Sequence, residues 1–169
     1  NTLVEHHAFY QNNIENVDFA GEIVEIGVSA FEESTVGTVN VKGGLRIIET
    51  YAFLDAKNLS DINLNEGLIS LGQEVFRNCK SLRSLTIPST IKELPISMCY
   101  VCSNLEEVII KGELTDIYRT AFAYCDNLHS ITILNADAPN LHAQDMGENG
   151  IQGAHPFGYD SYNYVGNSY

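Results

Sequence analysis

One apolar frame recurs along the chain every 22 or 23 residues, and it constrains the fold more than any other feature. Its anchor position is Phe in five of six repeats, and successive anchors are 22, 22, 23, 23 and 23 residues apart. The anchors are Phe9, Phe31, Phe53, Phe76, Cys99 and Phe122. A fixed period of this length is typical of repeat architectures, in which one short unit stacks on copies of itself.

Six further apolar columns keep phase with the anchor, and together they predict a shared core. In the fourth repeat they are Leu68, Leu71, Cys79, Leu82, Leu85 and Ile87. Of the 42 positions in these seven columns, only Asn1, Asn12 and Ser34 are polar, in a chain that is 44% hydrophobic overall. Because one unit is too small to bury its own apolar side, we expect stacked coils to share a continuous core.

The last three columns of each repeat have the spacing L-x-x-I-x-I, which predicts a short strand. In the third repeat, Ile62 and Leu64 point inward and Asn63 points outward, because successive strand side chains face opposite sides. We predict one such parallel strand per coil, about 4.8 Å from the next. The few residues around the anchor then form turns or short 3₁₀ pieces on the other side of the coil.

Two segments combine the anchor, a cysteine, the strand and a proline in one frame. Residues 121–128 read A-F-A-Y-C-D-N-L, and residues 82–88 read L-R-S-L-T-I-P. They resemble the A-F-x-x-C-x-x-L-x-x-I-x-I-P repeat of BspA-like leucine-rich-repeat proteins, and the likeness covers residues 1–134. It implies an α/β leucine-rich-repeat solenoid, right-handed, with six coils. It also implies a secreted or surface protein of a gut or oral bacterium, or of a parasitic protist, with a role in adhesion.

Two features depart from the ordinary leucine-rich-repeat pattern. Three residues after the strand, where that pattern has Asn or Cys, the chain has Glu22, Gly44, Gly67, Thr90 and Glu113. The usual buried asparagine ladder is therefore absent. In the fifth coil Cys99 replaces the anchor Phe beside Met98 and Tyr100, so we expect local repacking there.

The repeat frame stops after Ile133, because the next anchor would fall at Asp145. Residues 135–169 are rich in Gly and Tyr, and we predict that they form an irregular cap over the last coil. A tyrosine-rich protein contact is the alternative. The chain begins at Asn1 in the middle of a repeat, so we expect a longer parent protein. The uncovered N-terminal edge could support weak self-association.

The charge of the chain excludes some partners. Nine Lys and Arg against 22 Asp and Glu give a formal net charge of -13, which repels nucleic acid and anionic membranes. No apolar run reaches the roughly 18 residues that a membrane-spanning helix needs. We therefore predict neither a nucleic-acid partner nor membrane insertion of this chain. The resemblance, and not the charge, implies an extracellular or cell-surface location.

The sequence contains no complete catalytic or metal-binding motif. Cys99-x-x-Cys102 is half of a zinc or redox motif without a second pair. Cys79, Cys102 and Cys125 occupy one column, which predicts small buried free thiols. The adjacent His6–His7 has no surrounding metal or catalytic motif. We therefore predict no enzyme activity, metal or cofactor.

The outward strand positions remain as the predicted binding face, which is polar and lacks an aromatic platform for sugars or bases. The predicted ligand-binding residues are Asp61, Asn63, Arg83, Thr86, Glu106, Glu107, Ile109, His129 and Thr132. The predicted function is an extracellular protein-binding or adhesion module for a host or matrix protein. The alternative is a structural spacer within a larger cell-surface protein, without a specific ligand.

Overall fold

The computed structural model describes residues 2–142, which form a solenoid of short parallel strands. The strands are β1 (Leu3–Val4), β2 (Asn16–Phe19), β3 (Glu25–Ile26), β4 (Thr38–Val41), β5 (Ile47–Ile48), β6 (Asp61–Ile62), β7 (Ser70–Leu71), β8 (Ser84–Ile87), β9 (Glu93–Leu94), β10 (Glu107–Ile110), β11 (Asp116–Ile117), β12 (Ser130–Ile133) and β13 (Asn140–Leu141).

Each coil contributes two strands, so the prediction of one strand per coil is wrong. The L-x-x-I-x-I segments form the even-numbered strands, which make up the first face of the solenoid. The odd-numbered strands form a second face from the column five residues before each anchor. These strands are only two residues long, and each of them from β1 to β11 buries one side chain, as Ile48 does in β5. Alternation needs a longer segment to be visible in a sequence.

The anchors lie on the third side of each coil, which consists of turns as predicted. Residues 2–142 contain no α-helix and no 3₁₀-helix, so the α part of the expected class and the 3₁₀ pieces are not confirmed. In every coil the residues two before and two after the anchor have positive φ, between 51° and 63°. They are His7, Gln11, Ser29, Glu33, Tyr51, Asp55, Glu74, Asn78, Ser97, Val101, Thr120 and Tyr124. These paired left-handed residues bend the chain around the buried anchor.

The predicted columns form one continuous core, and every column position of coils two to five is buried. The end coils are less covered: Phe9, Phe19 and Ile131 are only partly buried because they have a neighbouring coil on one side. Consecutive anchor rings stack along the axis with centroids 4.8, 5.0 and 5.7 Å apart from Phe9 to Phe76. Stacking of whole coils therefore buries what no single coil could.

In the fifth coil Met98 and Cys99 are both fully buried. The residue before the anchor is smaller elsewhere, as Ala52 and Val75 show. The expected local repacking of this coil stays a prediction.

Each face is interrupted once. The first face divides into sheets β2-β4-β6 and β8-β10-β12, and the second into β1-β3-β5-β7 and β9-β11-β13. The interruption of the second face lies beside Pro95. At this place in other coils, the N–H of Gly72 donates to the Ile48 carbonyl at 2.7 Å, and that of Tyr118 to Leu94 at 3.0 Å. Proline has no N–H, so it cannot make the equivalent bond from the fifth coil to the fourth.

The second face continues beyond residue 134, because β13 pairs with β11 and places Leu141 beside Ile117. The 23-residue frame predicts that Asn140 lies beside Ile117, so the observed partner, Leu141, is one residue later. Most of the predicted cap at 135–169 lies outside the described residues, and the cap stays a prediction. Residues 2–142 include no helix that could cross a membrane.

Candidate binding face

Seven of the nine predicted binding residues lie on or beside one sheet, β8-β10-β12. The parallel register arranges the outward residues in three rows across the strands. The rows are Arg83-Glu106-His129, Ser84-Glu107-Ser130 and Thr86-Ile109-Thr132. Asp61 and Asn63 lie on and just after β6, which belongs to the other sheet of the first face. The predicted face is therefore two adjoining sheets.

The first row contains an ion pair. Arg83 Nη1 lies 2.7 Å from Glu106 Oε1, and the two side chains are 71% and 44% exposed. A pair this exposed contributes at most about 1 kcal/mol to stability. The ion pair mainly affects the electrostatic potential at this face. Its two charges largely cancel, so Glu107 is the dominant charge at the centre of the face.

The third row places an apolar side chain between two threonines. Ile109 is half-buried and lies between Thr86 and Thr132, which are its partners on either strand. The two threonines offer a methyl and a hydroxyl each. This row can therefore make apolar contact and hydrogen bonds with the same ligand.

His129 ends the first row. Its Nδ1 lies 3.0 Å from the carbonyl oxygen of Asn127. Because a carbonyl can only accept, Nδ1 carries the proton in this arrangement. The contact fixes the ring beside the backbone of β12.

The other half of the first face has outward polar groups that already bond to one another. Thr38 Oγ1 donates to Asn16 Oδ1 at 2.6 Å, and Asn40 Nδ2 donates to Asp18 Oδ1 at 2.7 Å. A ligand on β2-β4 would have to replace these bonds. The β8-β10-β12 half is therefore the better candidate for a binding surface.

The cysteines occupy the core and not a reactive site. All four are buried free thiols. Burial raises the pKa of Cys79, Cys99 and Cys125 above the usual thiol range, which keeps these side chains protonated and poorly nucleophilic. Within residues 2–142, no group of three His, Cys, Asp or Glu side chains is placed to hold a metal ion.

Sequence reasoning missed a groove of about 620 Å³ on the second face, between β7 and β9. It missed the groove because it assigned no strand to that side of the coil. The sequence feature that could have indicated the groove is Pro95. At the same position, most other coils have a backbone N–H that donates to the preceding coil.

Parallel strands on two faces, joined through turns at a buried anchor, define a leucine-rich-repeat solenoid. The sequence profile described as "BspA type Leucine rich repeat region" matches residues 2–129 in six copies. The chain belongs to this family, whose description names a repeat and no reaction. No curated protein shows a significant match.

Three solved structures show the same fold. A leucine-rich-repeat protein of T. pallidum has a TM-score of 0.68 and 25% identity, covering 80% of this chain and 64% of its own. A leucine-rich cell surface protein of Faecalibacterium prausnitzii has a TM-score of 0.67 and 20% identity, and the match covers 88% of this chain and 48% of that protein. A leucine-rich-repeat protein of Bacteroides ovatus has a TM-score of 0.59 and 18% identity, and the match covers 77% of this chain and 40% of that protein. The chain thus spans less than two thirds of the length of each.

Proposed function

We propose that the chain is an extracellular protein-binding or adhesion module that uses the outward face of β8-β10-β12. The observation that carries this proposal is the register that aligns Glu107, Ile109 and their hydroxyl-bearing neighbours in rows. A rigid surface with one apolar contact, several hydroxyls and one dominant carboxylate suits a polypeptide partner, which can match each of these groups. Asp61 and Asn63 extend the surface across the adjoining sheet.

The partner that we propose is a host or matrix protein, and the location that we propose is the cell surface or the extracellular space. The F. prausnitzii protein is named as a cell surface protein, and we extend that location to this chain by its shared fold. The net charge of -13 disfavours anionic partners and so favours a protein over nucleic acid. We also propose that the open edge of β1, which pairs only with β3 among the described strands, can support weak self-association.

A binding screen with matched face variants tests the proposal. The purified chain is measured by biolayer interferometry against immobilised extracellular-matrix and plasma proteins. The test variant carries Arg83→Ala, Glu106→Ala, Glu107→Ala and Ile109→Ala. The matched control carries Asn16→Ala, Asp18→Ala, Thr38→Ala and Asn40→Ala, which alter the same face on β2-β4.

We expect saturable binding that the test variant weakens at least tenfold, whereas the control variant retains it. Circular dichroism melting of both variants shows that each is folded. Equal binding by both variants would place the contact elsewhere. The absence of saturable binding to any protein would favour the structural spacer.

A further inference from the structure

The groove on the second face lies between the fourth and fifth coils, where β7 and β9 are not paired. Its walls include Glu49, Ile69, Lys92, Glu93, Pro95 and Tyr118, which come from four consecutive coils. Its volume of about 620 Å³ falls within the range of roughly 300–1,000 Å³ that is usual for ligand sites. Such a volume admits a few residues of peptide.

The strand pairing of the second face is interrupted at this groove. Pro95 follows β9 and has no N–H, so the Leu71 carbonyl at the end of β7 receives no bond from it. Gly72 lies against the preceding coil so closely that a Cβ there would be 2.1 Å from the Thr50 nitrogen. The fourth coil is thus packed tightly on the third, and β7 and β9 do not pair.

The walls of the groove combine exposed apolar surface with an aromatic ring. Ile69 is 50% exposed, which is unusual for a large aliphatic residue in this solenoid. Pro95 and Ile96 are half-buried beside it. The Tyr118 ring stacks on His142 at a centroid distance of 4.6 Å, which fixes its position at the far wall.

The groove carries more negative than positive charge. Glu49 and Glu93 line it against a single cation, Lys92. Glu93 and Tyr118 both line the groove, and the negative charge of Glu93 is the main reason that the pKa of Tyr118 is raised. Asp116, behind the ring, is instead paired with His142, whose Nε2 lies 2.6 Å from Asp116 Oδ1. Glu93 and Glu49 are therefore the carboxylates available to a ligand.

We propose that this groove binds an extended segment of a partner protein that carries an arginine or lysine side chain. The cationic end pairs with Glu93 and Glu49, and the aliphatic stem lies on Ile69 and Pro95. The segment lies across the outer surface of the groove, because the fourth and fifth coils stay bonded beside it, where the Glu74 N–H donates to the Ile96 carbonyl at 3.0 Å. This site is on the opposite face from β8-β10-β12, so its test is independent of the proposed adhesive surface.

The test uses the whole chain and a blocked seven-residue peptide of alternating threonine and valine with one central arginine. A second peptide has glutamine at the centre and the same length. Binding is measured by isothermal titration calorimetry and located by amide chemical shifts. Two variants are compared: Glu93→Gln in the groove, and Glu107→Gln on the first face as the matched charge control.

We expect the arginine peptide to bind at least fivefold more tightly than the glutamine peptide and to shift amides of β7 and β9. Glu93→Gln should remove most of that preference, and Glu107→Gln should leave it unchanged. No preference for arginine, no binding, or equal loss in Glu93→Gln and Glu107→Gln would overturn the proposal.

Discussion

The thiol of Cys102 donates a hydrogen bond to the carbonyl oxygen of Phe76 at 3.0 Å. Cys79 makes the same bond to Phe53 at 3.1 Å, and Cys125 makes it to Cys99 at 3.0 Å. Each acceptor lies 26 residues earlier, at the anchor of the preceding coil. Cysteines of one column thus link successive coils through their thiols. Each thiol adds a second hydrogen bond to a buried carbonyl that already accepts one from the backbone three residues later, as Phe53 does from Ala56 at 3.1 Å.

The raised thiol pKa values predict that stability falls at alkaline pH. The pKa of Cys79 is raised by burial in the folded chain, so the unfolded chain loses this proton first. The stabilisation is complete below the ordinary thiol pKa of about 8.5 and is lost as pH rises toward the folded-state value. In that window, each such thiol lowers the free energy of unfolding by about 1.4 kcal/mol per pH unit.

The measurement is urea unfolding between pH 9 and 10.5 for the natural chain and for Cys79→Ala. The variant should start less stable but show a shallower decline, by about 1.4 kcal/mol per pH unit. Tyrosines and lysines that titrate in the same range are common to both proteins, so the difference isolates the thiol. Parallel declines would contradict the prediction.

Phe76→Ala should destabilise the solenoid strongly. Phe76 is fully buried and its ring stacks on Phe53 at 5.7 Å. Removing such a ring leaves a cavity and costs about 3–5 kcal/mol. Glu106→Ala, which breaks only the exposed pair with Arg83, should cost less than about 1 kcal/mol. Urea unfolding compares the two, and similar losses would show that Phe76 is not in the core.

The sequence was sufficient for the core and the first face because each coil repeats several apolar residues in phase. The second face was not predictable in this way, since a two-residue strand such as β9 shows one inward side chain and no alternation. The left-handed turn residues could not be predicted either, because these positions hold residues such as Ser29 and Tyr51 and not glycine.

The outward rows of the candidate face followed from alternation, as Thr86, Ile109 and Thr132 show. The division of that face into two sheets did not follow, because it depends on hydrogen bonds between coils. The groove beside Pro95 is of the same kind: the proline is visible in the sequence, but its missing donor matters only once the neighbouring strand is known.

Val101→Asn should stabilise the protein. Val101 has a φ of 63°, and a β-branched residue in this region is strained by about 1–2 kcal/mol. Asparagine adopts the left-handed region more readily, and the backbone bond from Val101 N–H to the Ala123 carbonyl at 2.9 Å is retained. We expect a gain of about 1 kcal/mol in urea unfolding. Val101→Ile keeps the branched Cβ and should give no gain; an equal gain from both would exclude strain as the cause.

Gly72→Ala should be strongly destabilising, and Gly21→Ala should not. A Cβ at Gly72 would lie 2.1 Å from the Thr50 nitrogen and 2.3 Å from the Glu49 carbonyl carbon, which are backbone atoms that cannot rotate away. The two coils must separate, at a cost of about 3 kcal/mol. At Gly21 nothing lies within 4 Å of the added carbon, so the change should stay within about 1 kcal/mol. Thermal melting of the two variants measures the difference.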